Sequence, residues 1–127
     1  MKKILFLGLL LATILACSPE AMTNKKIAGM WYLESIDGKS LETSYQEQID
    51  FAPDGRGGTI TETKTTKGIP VVTYGKYALI KSGSITISRT KSDGGYDDQG
   101  YDFTSISDNS LTLTQNMNGQ KVFVYKK

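Results

Sequence analysis

The sequence holds few side chains of the types that perform catalysis: it has one cysteine, Cys17, and no histidine. The common zinc sites use cysteine and histidine ligands, and serine or cysteine nucleophiles are usually activated by histidine. Both kinds of site are therefore excluded. Catalysis would have to rest on pairs of Asp and Glu, on Tyr or on Lys. Because most acidic residues lie in turns or between polar neighbours, we expect no enzyme and no cofactor.

The densest acidic segment is residues 93–102, with the sequence DGGYDDQGYD. Its oxygen ligands suit calcium, but the segment lacks the spacing and the terminal glutamate of a calcium-binding loop. We therefore expect a solvated hairpin loop and no metal site. Tyr96 and Tyr101 within it are candidate contact residues, because loops on a rigid scaffold commonly carry recognition.

The first residues have the pattern of an export signal. Lys2 and Lys3 precede an apolar run over residues 4–16, which changes abruptly to the polar sequence CSPE at residues 17–20. The run is shorter than the roughly 20 apolar residues that a membrane-spanning helix needs. The pattern therefore predicts a cleaved signal peptide over residues 1–16.

Residues 14–17, ILAC, resemble the bacterial lipobox, in which the cysteine is acylated after cleavage. The resemblance implies lipid on Cys17, with residues 17–27 as a lipidated N-terminus and polar tether. More than one acyl chain gives stable membrane attachment. Ser18, rather than Asp, after the cysteine implies delivery to the outer membrane. Because Glu20 is the only acidic residue close behind Cys17, we expect the periplasmic face rather than the cell surface.

The composition excludes nucleic acid as a partner. Loss of Lys2 and Lys3 with the signal leaves 13 of the 15 basic residues against 13 acidic ones. A chain that binds nucleic acid usually carries a one-sided excess of Lys and Arg. We therefore expect contact with the membrane through the lipid alone and a monomer, with one domain over residues 28–127.

This domain has the composition of a β-sheet protein: short segments rich in Thr, Ile, Val, Tyr and Phe alternate with turn residues. No window after the signal has a helical apolar stripe, so we expect at most one helical turn before Gly29. The eight predicted strands are Met30–Ile36, Tyr45–Phe51, Gly58–Thr65, Val71–Ile80, Ser84–Thr90, Gly100–Ile106, Ser110–Gln115 and Lys121–Lys126.

Alternation of apolar and polar residues, as in Ile85 and Ile87 among Ser and Thr, indicates that one face of each strand is buried. Eight antiparallel strands joined by tight turns remove their unpaired edges by closing into an up-and-down barrel. The sequence therefore predicts an all-β, eight-stranded antiparallel barrel. A two-sheet β-sandwich is the alternative at this length.

Short motifs distributed over the domain point to a family. They are Gly29-x-Trp31, Ile49-Asp50-Phe51 with Asp54-Gly55, Gly75-Lys76-Tyr77, Ser110-Leu111-Thr112-Leu113 and the run from Phe123 to Lys127. Together they resemble the small lipocalin-like lipoproteins of Bacteroidetes-type bacteria. The resemblance implies a lipocalin-like barrel whose closed end is plugged by Trp31.

An eight-stranded barrel is just wide enough to be filled by its own side chains or to hold one small ligand. The candidate ligand-binding residues of the interior are Trp31, Phe51, Tyr77, Phe103 and Phe123. The first hypothesis is a lipid-anchored envelope protein whose barrel binds a small apolar ligand or an envelope component. The alternative is a filled barrel without a cavity, which acts as a structural or protein-interaction module at the outer membrane.

Overall fold

The fold was obtained as a computed structural model, which describes residues 19–127 apart from residues 82, 117 and 118. Cys17 and the export segment lie outside the described residues, so what is predicted for them stays a prediction. The described elements are α1 (Pro19–Ile27), β1 (Gly29–Ile36), β2 (Lys39–Ser40), β3 (Tyr45–Asp54), β4 (Gly57–Thr66), β5 (Ile69–Lys81), β6 (Ser84–Thr90), β7 (Tyr96–Ile106), β8 (Ser110–Asn116) and β9 (Gln120–Lys126).

The strands form one antiparallel sheet that closes on itself. From β3 to β9 each strand pairs with the next along the chain, and β1 pairs with both β3 and β9. The first half of β1 binds β3 through residues 29–32, and the second half binds β9 through residues 32–36. This arrangement confirms the predicted eight-stranded up-and-down barrel. The β-sandwich alternative is wrong, because the two would-be edges are hydrogen-bonded to each other.

Two elements differ from the prediction. The two-residue β2 pairs only with the end of β1 and makes a ninth strand that is not part of the closed ring. The longer β7 starts at Tyr96, and residues 96–102 pair with β6. The predicted solvated loop over residues 93–102 is therefore wrong beyond Gly95. Asp97, Asp98 and Asp102 are exposed strand residues, so the segment shows little apolar alternation in its sequence.

The hydrophobic core fills one end of the barrel. In β6, Ile85 and Ile87 point inward and are 1% exposed, whereas Thr86 between them is partly exposed. Phe51 and Tyr77 meet edge to face, with ring centroids 5.2 Å apart, a favoured aromatic geometry. The buried apolar residues are Ile27, Trp31, Leu33, Ile49, Phe51, Ile60, Tyr77, Leu79, Ile85, Ile87, Tyr101, Leu111, Leu113 and Tyr125.

Helix α1 covers this end of the barrel, which we call the closed end. The helix has Glu20 in its first turn and Lys25 and Lys26 in its last turn, as the helix dipole favours. Its Asn24 donates hydrogen bonds to the carbonyl oxygens of Gly55 at 2.8 Å and Gly57 at 2.9 Å. The tight turn between β3 and β4 is thereby joined to the helix.

The prediction of at most one helical turn and an open tether before Gly29 is wrong for residues 19–27. Asn24 and Ile27 are 2% and 0% exposed, so this end of the segment is part of the folded domain. The helix was missed because it is held by one polar side chain and one apolar residue instead of an apolar stripe. Among the described residues there is no helix whose length and apolar character would let it cross a membrane.

Candidate functional site

The inward-facing side chains change character along the barrel. In β3 the row of Ile49 and Phe51 continues with Glu47, and in β4 Ile60 is followed by Glu62. At the end opposite α1 the interior is a chamber with a volume of about 320 Å³. The residues that line this chamber are Ile36, Tyr45, Glu47, Glu62, Lys64, Arg89, Gln99, Tyr101, Gln115, Lys121, Phe123 and Tyr125. The barrel therefore has an apolar closed half and a polar open half.

An ion pair between β4 and β6 lies in the chamber next to the apolar core. Arg89 donates from Nε to Glu62 Oε1 at 3.0 Å and from Nη2 to Oε2 at 2.9 Å. The side chains of Glu62 and Arg89 are 3% and 18% exposed. Burial lowers the pKa of Arg89, but the hydrogen bonds and the charge of Glu62 outweigh it and raise that pKa. The two-point contact fixes both groups in orientation.

The ion pair continues into a hydrogen-bonded chain on β7. Arg89 Nη1 donates to the hydroxyl of Tyr101 at 3.3 Å, and that hydroxyl donates to Gln99 Oε1 at 2.8 Å. Tyr101 is 7% exposed, so its prediction as a loop contact is wrong: it is an inward-facing strand residue. Tyr96 is 49% exposed at the start of β7, with the Lys76 ammonium 5.4 Å from its ring centroid.

A second group of charges lies nearer the mouth. Lys64 Nζ is 3.3 Å from Glu47 Oε1 and 3.8 Å from Glu62 Oε1. Burial, followed by the charge of Glu47 and a hydrogen bond with it, raises the pKa of Tyr45 to about 12. Burial also raises the pKa of Tyr125 well above its ordinary value. Both phenols are therefore neutral near neutral pH, and they offer the chamber hydroxyl groups.

The chamber carries more positive than negative groups: two carboxylates, Glu47 and Glu62, face three cations, Lys64, Arg89 and Lys121. The ammonium of Lys121 lies 5.8 Å from the ring centroid of Phe123. Within the described part of the chain Lys121 has no carboxylate partner. The excess charge suits an anionic group. The described residues contain no cluster of three or more acidic or thiol groups that would hold a metal ion.

Two further cavities open beside the chamber, along the segment 37–44 that carries β2. One has a volume of about 500 Å³ and is lined in part by Ile36, Leu41 and Tyr45. The other, of about 470 Å³, is lined in part by Leu33, Leu41 and Tyr45. Tyr45 lines all three spaces. Each volume is within the roughly 300–1,000 Å³ of small-molecule sites, and the two neighbouring cavities add apolar side chains among polar ones.

The structure brings only one of the five predicted interior residues to the chamber, namely Phe123. Phe103 is half-buried and packs against the core. Trp31, Phe51 and Tyr77 do not line the chamber, because they fill the closed half at 0%, 2% and 4% exposure. Apolar bulk in the sequence marks the packed half of the barrel rather than the open one.

Trp31 is held at the closed end by two contacts. Its Nε1 donates to the carbonyl oxygen of Ile27 at 2.8 Å, which ties β1 to the end of α1. The ammonium of Lys127 lies 4.9 Å from the ring centroid, within cation–π range. The indole is thus a structural plug of the closed end.

The polar residues of the chamber were missed from the sequence, where acidic side chains were taken as solvated. Glu47 and Glu62 are 9% and 2% exposed. A detectable signal was present: counting two residues at a time along β4 from Ile60 gives Glu62 and Lys64, and along β6 from Ile87 gives Arg89. Charged residues in phase with a buried row face the interior.

No family model and no curated protein matches the chain. Among solved structures, it is similar to a redesigned beta barrel with 14% identity and a TM-score of 0.57, over 83% of this chain and 94% of that chain. As-p18, an extracellular fatty acid binding protein, gives 15% identity and a TM-score of 0.49, over 81% of this chain and 96% of that one. The likeness to the redesigned barrel shows the class of the fold: a small closed antiparallel β-barrel.

Proposed function

We propose that this protein is a lipid-anchored envelope protein, related to the lipocalin-like lipoproteins, whose barrel binds a small amphipathic molecule at its open end. The observation that carries this proposal is the chamber with excess positive charge, which shares Tyr45 with a neighbouring cavity lined in part by Ile36 and Leu41. The closed half is packed, so the binding space lies in the open half.

The charges of the chamber favour an anionic head group. Arg89 already forms two hydrogen bonds with Glu62. A ligand anion that bound Arg89 would have to displace this carboxylate. Lys64 is 48% exposed and Lys121 has no carboxylate partner among the described residues. The head group would therefore meet these two ammonium groups, and the apolar part would lie against Ile36 and Leu41.

The proposed anchor orients the mouth of the barrel. Cys17 is two residues before Pro19, so their Cα atoms are at most about 7 Å apart. Because α1 covers the closed end, lipid on Cys17 would hold the closed end near the membrane. The open end would then point away from that bilayer and remain accessible to ligand, at the periplasmic face of the outer membrane.

The ligand proposal is tested with an anilinonaphthalene sulfonate probe, which has apolar rings and an anionic head group. Binding is followed by probe fluorescence, and laurate is added as a competitor. The fluorescence of Trp31 is not the reporter of choice, because the indole is fully buried in the other half. We expect saturable binding that laurate displaces and that Lys121→Gln weakens about tenfold, the effect of about 1.4 kcal/mol.

The matched control is Lys126→Gln on the same strand, since Lys126 is exposed and lies 3.9 Å from Glu34. This variant should bind the probe like the unaltered protein. Equal losses in the two variants, or unsaturable binding, would count against a site in the chamber.

The anchor is tested separately by Cys17→Ser. We expect this variant to lose labelling by a palmitate analogue and to leave the membrane fraction. Unchanged labelling or membrane association would refute lipidation at Cys17 while leaving the ligand site untouched.

A protein-interaction module is the second candidate function. It is favoured by exposed apolar residues on β5, where Ile69, Val71 and Tyr74 are 68%, 62% and 64% exposed. Scattered apolar residues on a surface are ordinary, whereas a contiguous group often marks an interaction site.

A further inference from the structure

The hairpin of β4 and β5 extends beyond its neighbouring strand. Residues 69–78 of β5 pair with β4, but pairing with β6 begins only at Gly75. Residues 69–74 therefore have a strand partner on one side only, and we call them the free edge. Along an antiparallel strand alternate residues direct N–H and C=O groups to each side, so the free edge offers unpaired backbone donors and acceptors.

The free edge is apolar on both of its faces. Ile69 and Val71 lie opposite Thr66 and Lys64, on the face that continues the barrel interior. Val72 and Tyr74 are on the outer face, at 46% and 64% exposure. An exposed edge with apolar side chains on both faces is a template for pairing with another strand. Only Pro70, which lacks an N–H, limits this pairing.

The segment that carries the free edge is basic, although the turn after β6 also holds Asp93 and the start of β7 holds Asp97 and Asp98. From residue 63 to residue 92 the sequence has six basic residues and no acidic one. Lys64 and Arg89 are engaged by carboxylates of the chamber. Lys67, Lys76 and Lys91 are exposed at the tip of the hairpin, at the other end of the free edge and in the turn that follows β6.

We propose that the free edge, residues 69–74, binds an extended acidic segment of another protein, which adds to β5 as a strand in line with β6. Main-chain hydrogen bonds to the edge supply affinity, and the side chains of the added strand contact the two apolar faces. The exposed lysines select acidic residues in the partner. This inference goes beyond the ligand site and does not depend on it.

Two other occupants fit the free edge less well. Unpaired backbone groups are not accommodated in the hydrocarbon of a bilayer, because no water is present there to satisfy them. A second copy of the chain, paired antiparallel over residues 69–74, would bring the lysines at the two ends of its own edge, Lys67 and Lys76, close to those of the first copy, and like charges on neighbouring strands oppose pairing. An acidic peptide satisfies both the backbone groups and the lysines.

The test uses a synthetic fluorescent peptide in which valine and glutamate alternate, and a second peptide with lysine in place of glutamate. Both are titrated into the purified protein, and amide hydrogen exchange is measured by NMR. We expect the acidic peptide to bind at least about tenfold more tightly than the basic one. Binding should slow the exchange of alternate amides within residues 69–74.

Matched variants locate the contact. Val71→Ser and Lys67→Glu should each weaken binding of the acidic peptide about tenfold. Ile80→Ser changes an equally exposed residue at the other end of β5, outside the free edge, and Lys26→Glu makes the same charge change on α1; both should bind normally. Lys121→Gln, which removes a charge from the chamber, should also leave peptide binding unchanged.

Three results would overturn the proposal. The first is an acidic peptide that fails to protect the edge amides at millimolar concentration. The second is binding of phosphatidylglycerol vesicles that Val71→Ser abolishes while the peptide does not bind, which would assign the edge to a membrane. The third is dimerisation in analytical ultracentrifugation with protection of the same amides, which would assign it to a second copy.

Discussion

The closed and open halves of the barrel share their strands but differ in what those strands place inside. In β6, Ile87 belongs to the apolar core, and Arg89, two residues on, belongs to the chamber. The same step from Ile60 to Glu62 occurs in β4. The alternation that closes the sheet therefore fixes which side chains point inward, whereas the type of those side chains decides between a packed and an open interior.

The difference has an energetic consequence. Burying a large apolar side chain contributes about 1.5–3 kcal/mol to stability. A buried ion pair contributes little in net terms, because desolvation offsets its Coulombic attraction. The closed half thus accounts for the stability of the barrel. The open half gives up apolar burial for charges that stability does not require, and this supports a binding role for the chamber.

The largest expected effect is at the closed end. Trp31→Ala removes a fully buried indole and its hydrogen bond to Ile27, and it should lower the free energy of unfolding by about 4 kcal/mol. Urea denaturation followed by circular dichroism measures it. Tyr32→Ala, at the next and 52% exposed position, should change stability by less than about 0.5 kcal/mol. Equal effects would mean that the closed half is not a packed core.

A smaller effect is expected from breaking the ion pair of the chamber. Glu62→Leu leaves Arg89 largely buried without its carboxylate and should cost about 3 kcal/mol. The double variant Glu62→Leu with Arg89→Met should recover most of this loss, because no charge is then left unpaired. Glu34→Leu breaks the exposed pair with Lys126 and should cost less than about 1 kcal/mol. If the double variant were as unstable as Glu62→Leu alone, the ion pair would itself stabilise the barrel, and the energetic difference between the closed and open halves would be wrong.

Sequence reasoning reached the barrel but not the contents of its open half. The strand that contains Ile85 and Ile87 is visible as a local alternation of apolar and polar residues. The turn at Asp54-Gly55 is visible because glycine favours its backbone conformation. Which strand end forms the mouth depends on pairing across the whole sheet. Glu62 and Arg89, 27 residues apart, become neighbours only through β5, which lies between them.

Helix α1 was also missed because long-range contacts, not a local pattern, hold it in place. Residues 19–27 have a mean hydropathy below zero and no apolar stripe, so local pattern gives no reason to fold them onto a core. What fixes them is Asn24, whose partners lie 31 and 33 residues further along the chain. Long-range hydrogen bonds of this kind leave no periodic signal in the sequence.

Asn24 is the polar exception within the closed half. It bonds to the carbonyl oxygens of Gly55 and Gly57, and it accepts a hydrogen bond from the hydroxyl of Tyr77. Asn24→Ala leaves buried groups without partners and should cost about 2 kcal/mol, measured by urea denaturation. The exposed Lys25→Ala on the same helix is the control and should cost less than about 0.5 kcal/mol. A neutral Asn24→Ala would mean that α1 is not needed to close the barrel.

The smallest expected effect separates the halves by the ionisation of their tyrosines. The pKa of Tyr45 in the open half and that of Tyr77 in the closed half are both raised to about 12, by burial first. Only Tyr45 is also raised by the charge of Glu47. Both phenols are neutral in folded and unfolded chains below about pH 10, and the unfolded chain ionises first above it. The free energy of unfolding should therefore fall between about pH 10 and pH 12.

Glu47→Gln removes the charge that acts on Tyr45. It should lower the pKa of Tyr45 and leave that of Tyr77 unchanged, as read from the ring carbon shifts in an NMR titration. Glu34→Gln, on an exposed pair outside the chamber, is the control and should move neither value. If Glu47→Gln shifted both tyrosines equally, or neither, the charges of the open half would not act locally. An anionic ligand in the chamber would then gain little from the position of Lys64 and Lys121.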